Sequence, residues 1–209
     1  MQYTELKCTE YTEQLSSKAP VPGGGGTAAL TGALSASLCS MVGNLTIGKK
    51  KYADVEDEIR GLMEKTERLR RELLSLVEAD AEAFEPLSKA YGLPKETEEQ
   101  AEQKARVMEE CLKNAAEVPF QIMRKICEVI DLVDTFRKKG SVLAVSDAGV
   151  AAALAAAALK SASLNVFINT RLMTDRQKAG EMNKACNDML SVYIPMAERT
   201  FEKVKNKLC

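Results

Sequence analysis

At 209 residues the chain has the size of one domain with a single sizeable core. Its 29 basic and 30 acidic residues leave a formal net charge of −1, which excludes a general nucleic-acid binder, since such affinity rests on an excess of cations. Histidine is absent, so proton transfer must fall to carboxylates, lysine, tyrosine, cysteine or water, and the commonest metal ligand is missing.

Residues 1–19 carry charges throughout and lack the apolar run of a signal peptide. Cys8, Cys39, Cys111, Cys127, Cys186 and Cys209 show no C-x-x-C spacing, and most fall on apolar helical faces. They read as reduced thiols of a cytoplasmic protein, with no disulfide frame and no metal site. Apolar residues recur at helical steps nearly everywhere, and no alternating run is long enough for a sheet. The expectation is all-α: a single domain over 1–209, built as a bundle of about seven helices near 2–17, 27–47, 54–91, 97–118, 120–138, 147–173 and 176–207.

After the first helix, Pro20-Val21-Pro22 leads into Gly23, Gly24, Gly25 and Gly26. Four glycines free the backbone from side-chain sterics, so the run reads as a ligand loop feeding its N–H groups toward the positive end of the helix at 27–47. A flexible connector gives the same letters. The nucleotide-loop ending Gly-Lys-Ser/Thr is missing, and no strand precedes the run. Lys49, Lys50 and Lys51 follow that helix, either as a patch for an anionic ligand or as a solvated helix end. Asp80 is one acid among several on the helix at 54–91. Gly92-Leu93-Pro94 and Lys138-Lys139-Gly140 mark boundaries, and Pro86, Pro119 and Pro195 are expected to kink or split their helices.

Ser146-Asp147 opens the helix at 147–173, as an ordinary helix start or as a carboxylate at the wall of a site. Asn165 and Asn169 stand four apart and share a face, where buried amides need partners. Ala179, Met182, Cys186, Met189, Tyr193 and Met196 set the stripe of the last helix. Helices 27–47 and 148–159 are rich in Ala, Gly, Ser and Leu and nearly free of charge. Their interspersed polar residues favour two buried helices in close approach over a membrane span.

Read together, Pro22-Gly23-Gly24-Gly25, the Gly48-Lys49-Lys50-Lys51-Tyr52 stretch, Asp80-Ala81-Glu82-Ala83-Phe84, Leu93-Pro94-Lys95, Ser146-Asp147 and Asn165-Val166-Phe167-Ile168-Asn169 with Asp175 resemble the formimidoyltetrahydrofolate cyclodeaminase and methenyltetrahydrofolate cyclohydrolase family. The resemblance covers most of the chain. Relatives often carry Asn where this chain has Ser141, a departure that bears on substrate choice if that Asn touches substrate. The resemblance implies an all-helical homodimer acting on a reduced folate at the carbon bridging N5 and N10, with no cofactor beyond the tetrahydrofolate substrate, no nucleic acid and no membrane.

A polyglutamylated folate would suit Lys49, Lys50 and Lys51 and the glycine run, with the pterin against Asn165 and Asn169 and Ser146 nearby. Asp147 is the first choice for proton transfer and Asp80 the second. The leading expectation is cyclodeaminase action, closing the ring to 5,10-methenyltetrahydrofolate with loss of ammonia. The alternative is cyclohydrolase action, opening that ring with water to 10-formyltetrahydrofolate. A non-catalytic folate-binding or scaffold protein is the rival from another class.

Overall fold

Six α-helices and three short 3-10 turns account for most of residues 2–209, the part of the chain described by the computed structural model. The helices are α1 (Cys8–Leu15), α2 (Gly24–Asn44), α3 (Glu56–Tyr91), α4 (Glu98–Lys139), α5 (Val145–Leu172) and α6 (Arg176–Leu208), and no strand occurs among the described residues. The all-α expectation holds, with one helix fewer than expected. The segments at 97–118 and 120–138 form one rod, because α4 runs straight through Pro119.

The prolines are tolerated for identifiable reasons. Proline lacks an N–H, so the carbonyl four residues earlier loses its helical partner. Pro86 and Pro195 lie on exposed sides, where water can satisfy that carbonyl. Pro119 is buried, and the carbonyl it releases, that of Ala115, accepts a hydrogen bond from the Asn169 side chain at 2.8 Å. Helix starts follow the sequence signals. Thr97 accepts from the Gln100 amide and Gln100 reaches back to Thr97, and Asp175 accepts from the Lys178 amide at 3.0 Å to open α6.

Helix α4 lies at the back of the bundle, touching α2, α3, α5 and α6, and its stripe of Ile122, Ile126, Val129, Val133 and Phe136 fills the core. In front of it α2 and α5 pack side by side and antiparallel. Ser35 Oγ donates to the Ala151 carbonyl at 2.8 Å, the Ser141 amide donates to Thr46 Oγ1 at 2.8 Å, and Gly24 lies against Asn165 at the other end. Ala33, Ala36, Ala148, Ala151, Ala152 and Ala155 are almost fully buried, and residues this small permit the close approach.

Both helices are long and apolar enough to cross a membrane by length and composition, but their small residues face the bundle. They are not buried on all sides, which corrects the sequence expectation. Opposite α4, an apolar stripe of Leu34 and Met41 on α2 and Leu45 just past its end runs beside Val150, Leu164, Ile168 and Leu172 on α5. At its end is Leu143, 88% exposed.

All six cysteines are free. Cys39, Cys127 and Cys186 are buried in α2, α4 and α6, and burial pushes their thiols up to about 12, 12 and 11.

Candidate functional site

Asp80 lies in the middle of α3 facing the first turn of α2, where its Oδ2 accepts the Gly26 amide at 2.8 Å. The glycine run is therefore not a free loop. Gly24, Gly25 and Gly26 are the first turn of α2, and the positive end of that helix is already met by a carboxylate of the protein. This contact requires the glycines. A Cβ on Gly25 would overlap the Asp80 carboxylate, and one on Gly24 would stand 3.2 Å from Asn165 Oδ1.

Around this contact opens a cavity of about 260 Å³. Asp80 and Phe84, four apart on α3, form one wall. Asn165, Ile168 and Asn169 of α5 form another, with Pro20, Val21 and Gly23 over the top and Ala115 of α4 at the back. Asn169, only 6% exposed, donates both amide hydrogens, to the Ala115 and Asn165 carbonyls at 2.8 and 2.9 Å. Its Oδ1 is left as an acceptor. Asn165 Nδ2 donates to the Ser161 carbonyl at 2.9 Å. Burial raises the Asp80 carboxyl above the ordinary carboxylate range, opposed by the Gly26 hydrogen bond.

The remaining expected residues lie at the other end of the α2–α5 pair. Lys49, Lys50 and Lys51 are exposed on the turn after α2, with no ion-pair partner among the described residues. The Tyr52 hydroxyl accepts the Val142 amide at 3.0 Å, tying that turn to the start of α5. This hydrogen bond, reinforced by Ser141 and the nearby lysines, holds the Tyr52 phenol below its usual value. Ser146 and Asp147 occupy the first turn of α5, Ser146 exposed and Asp147 half-buried. Ser141 is 2% exposed and packed beneath this cluster, so it has no open face for a ligand.

Eighteen positions of continuous helix separate Asp147 from Asn165, about 27 Å at 1.5 Å per residue. Within one chain, Asp80, Asn165, Asn169 and the glycines come together, and the lysines, Ser146 and Asp147 do not join them. Sequence reasoning missed Phe84, Ala115 and Ile168 as pocket walls. Phe84 had a usable signal, its helical spacing from Asp80, whereas Ala115 had none.

A larger cleft of about 420 Å³ between α3 and α4 is lined by Glu72, Lys125 and Glu128, whose charges pair with one another at 2.9 and 3.2 Å. Glu117 and Arg124 also line it and form no ion pair among the described residues. Among the described residues no group of three potential metal ligands is found. Asp175, part of the resemblance, caps α6 and pairs with Lys113 at 3.0 Å.

The fold as a whole has a solved counterpart. The crystal structure of formiminotetrahydrofolate cyclodeaminase from Thermotoga maritima matches with a TM-score of 0.80 and 28% identity, over 96% of this chain and 98% of that one. At the level of sequence, the profile of the Formiminotransferase-cyclodeaminase family matches residues 7–188, and the chain belongs to that family. Among individual relatives, a methenyltetrahydrofolate cyclohydrolase from Methylorubrum extorquens is 46% identical over 95% of both chains. The formimidoyltransferase-cyclodeaminase of Mus musculus is 32% identical over 79% of this chain and 30% of its own length.

Proposed function

We propose that this chain is a folate one-carbon enzyme that acts as a methenyltetrahydrofolate cyclohydrolase. The observation that carries the reading is the near end-to-end likeness to the Methylorubrum protein of that name, which reverses the order of preference reached from sequence. Water adds to the methenyl carbon and loses one proton, the bond from that carbon to N5 breaks as the remaining hydroxyl proton leaves to form the formyl C=O, N5 takes up a proton, and 10-formyltetrahydrofolate leaves with one proton released overall. Only water and protons are exchanged, so the reaction calls for no cofactor beyond the tetrahydrofolate substrate. Cyclodeaminase action is the second reading, favoured by the likeness to the Thermotoga protein along nearly its whole length.

The cavity beside Asp80 is the place for the pterin, between Phe84 and Ile168 and against Asn165 and Asn169. Asp147 is the proton-transfer group, and because it is remote in its own chain it acts from a second copy. A two-fold axis running across α2 and α5 seats the apolar stripe of one copy on that of the other and exchanges their ends. The partner's Asp147 then arrives at the pocket, and the partner's Lys49, Lys50 and Lys51 meet the anionic glutamate tail. The buried, protonated thiols suit a reducing compartment such as the cytoplasm.

The test is absorbance at the methenyl band. Protein-dependent decay with 5,10-methenyltetrahydrofolate supports the cyclohydrolase. A rise with ammonia release from 5-formimidoyltetrahydrofolate, without acceleration of the first reaction, moves the assignment to cyclodeaminase. No change in either removes both.

A further inference from the structure

Asp80 occupies one of the glycine amides that open α2 and leaves two free. The Gly26 N–H donates to its Oδ2 at 2.8 Å, whereas the Gly24 and Gly25 amides find no acceptor among the described residues, and both glycines line the cavity. First-turn amides point back along the helix axis, and the aligned peptide dipoles behind them add to their pull on an electron-rich atom. On α5 a second group in the lining lacks a partner. Asn169 is 6% exposed and spends both amide hydrogens on the Ala115 and Asn165 carbonyls, so its Oδ1 has no donor among the described residues. Beside it, Asn165 gives one hydrogen to the Ser161 carbonyl and keeps the other free. The cavity therefore offers both donors and an acceptor to a ligand.

Charge decides which part of the substrate comes to the start of α2. The methenyl carbon of 5,10-methenyltetrahydrofolate belongs to an amidinium cation shared with N5 and N10. The cavity is lined by one carboxylate, Asp80, and by no lysine or arginine, so the cationic centre is drawn to Asp80 and to the amides next to it. There the substrate gains an oxygen. Water forms a bond to the methenyl carbon and loses one proton, giving a neutral adduct. As the remaining hydroxyl proton leaves, the O–H electron pair becomes the formyl C=O, and the C–N5 pair passes to N5, which takes up a proton. Negative charge builds on the oxygen during this step, and fixed hydrogen-bond donors aimed at it lower the barrier.

Resting on the cyclohydrolase reading above, we infer that the Gly24 and Gly25 amides are the oxyanion site of the reaction, holding the oxygen that water brings to the one-carbon unit. Asn169 Oδ1 accepts an N–H of the pterin and fixes the ring for attack. Backbone donors at a helix start cannot rotate away, so they need no reorganisation as the charge forms.

The test removes single amide hydrogens. Exchanging Gly25 for glycolic acid by cell-free translation turns its N–H into an ester oxygen and adds no atom to crowd Asp80. The expected result is a fall in kcat on the order of a hundredfold, with KM for 5,10-methenyltetrahydrofolate moved by less than about threefold, because the charge on oxygen is absent from the bound substrate. A second pair of variants needs no ester. Gly24→Pro removes the N–H at the first helical position, where proline is well tolerated, and Gly24→Ala adds the same Cβ but keeps the N–H. Between these two, kcat should be lower in Gly24→Pro by about tenfold or more. Wild-type kcat in the ester protein, or equal kcat in Gly24→Pro and Gly24→Ala, overturns the inference and leaves the cyclohydrolase reading intact. A raised KM at unchanged kcat overturns it too, assigning the amides to an oxygen already present in the substrate, such as the pterin carbonyl. Wild type that does not accelerate decay of 5,10-methenyltetrahydrofolate defeats that reading, and the inference with it.

Discussion

The two ends of the α2–α5 pair differ in almost every physical respect. At the Asp80 end, four helices, α2, α3, α4 and α5, and the Pro20–Gly23 segment enclose a cavity with no cation in its walls. At the Asp147 end, three unpaired lysines stand in solvent above a turn fastened by Tyr52 and Thr46. One end is an enclosed slot and the other offers charge and a half-buried acid, so under the proposed pairing each would supply half of an active site. The lesson is that groups which read as one constellation along the chain lie at opposite ends of the helix pair in space, and the proposed pairing of two copies is what would unite them.

The largest effect is expected at Asp147. Asp147→Asn lowers kcat on the order of a hundredfold if this carboxylate moves the proton, and near-normal turnover in the folded variant removes it from the mechanism. The same variant tests the division between ends. Co-expressed with Asp80→Ala and assayed at low substrate, it should recover about a quarter of wild-type activity through mixed dimers with one intact site. If each site lay within one chain, mixing would restore nothing.

Leu164, 67% exposed on the open stripe, gives the next effect. Leu164→Glu should convert a dimer to monomer in sedimentation and abolish most turnover, while helicity by circular dichroism is kept. An active monomer would break the comparison outright.

Gly25→Ala drives a methyl into the Asp80 carboxylate. It should destabilise the fold by about 1–3 kcal/mol in urea unfolding. A neutral result would mean that the first turn of α2 yields easily.

Replacing Lys49, Lys50 and Lys51 together should raise KM on the order of tenfold for polyglutamylated substrate, and less for the monoglutamate at physiological salt. An equal change for both would dissociate the lysines from the tail.

The smallest effect concerns pH. Because the folded state raises the Asp80 pKa by burial, the group's contribution to stability is fully present below the ordinary carboxylate pKa and is lost as pH rises through the higher folded value. Asp80→Asn should therefore be the more stable protein at pH 7, by on the order of 1 kcal/mol. That advantage should shrink on acidification below about pH 4. An advantage independent of pH would show that the charge is not its source.

Much of the fold was readable because helical period and caps are local. The stripe through Ala179, Met182 and Cys186 and the Thr97 cap needed only neighbours in sequence. Pro119 was misread for a nonlocal reason, since the carbonyl it orphans, that of Ala115, finds its donor, Asn169, 54 residues further along. Asp80, Asn165 and Asn169 were legible as candidates by residue type. Sequence could not reveal that Asp80 caps α2, because that partnership spans 54 positions and depends on the antiparallel order of the helices. The remoteness of Asp147 from Asn165 was implicit in the helix expected at 147–173, but only the packing of α5 against α2 shows which end faces which cluster.

The three interior thiols make the bundle its own reporter. Cys39, Cys127 and Cys186 sit on three different helices, shielded and protonated, and a thiol in that state is inert to alkylation. Each becomes reactive only when its own helix leaves the core, whereas Cys8 and Cys209 are exposed from the start. The order in which a mass-tagged alkylating reagent marks them would reveal whether the helices open together or one at a time.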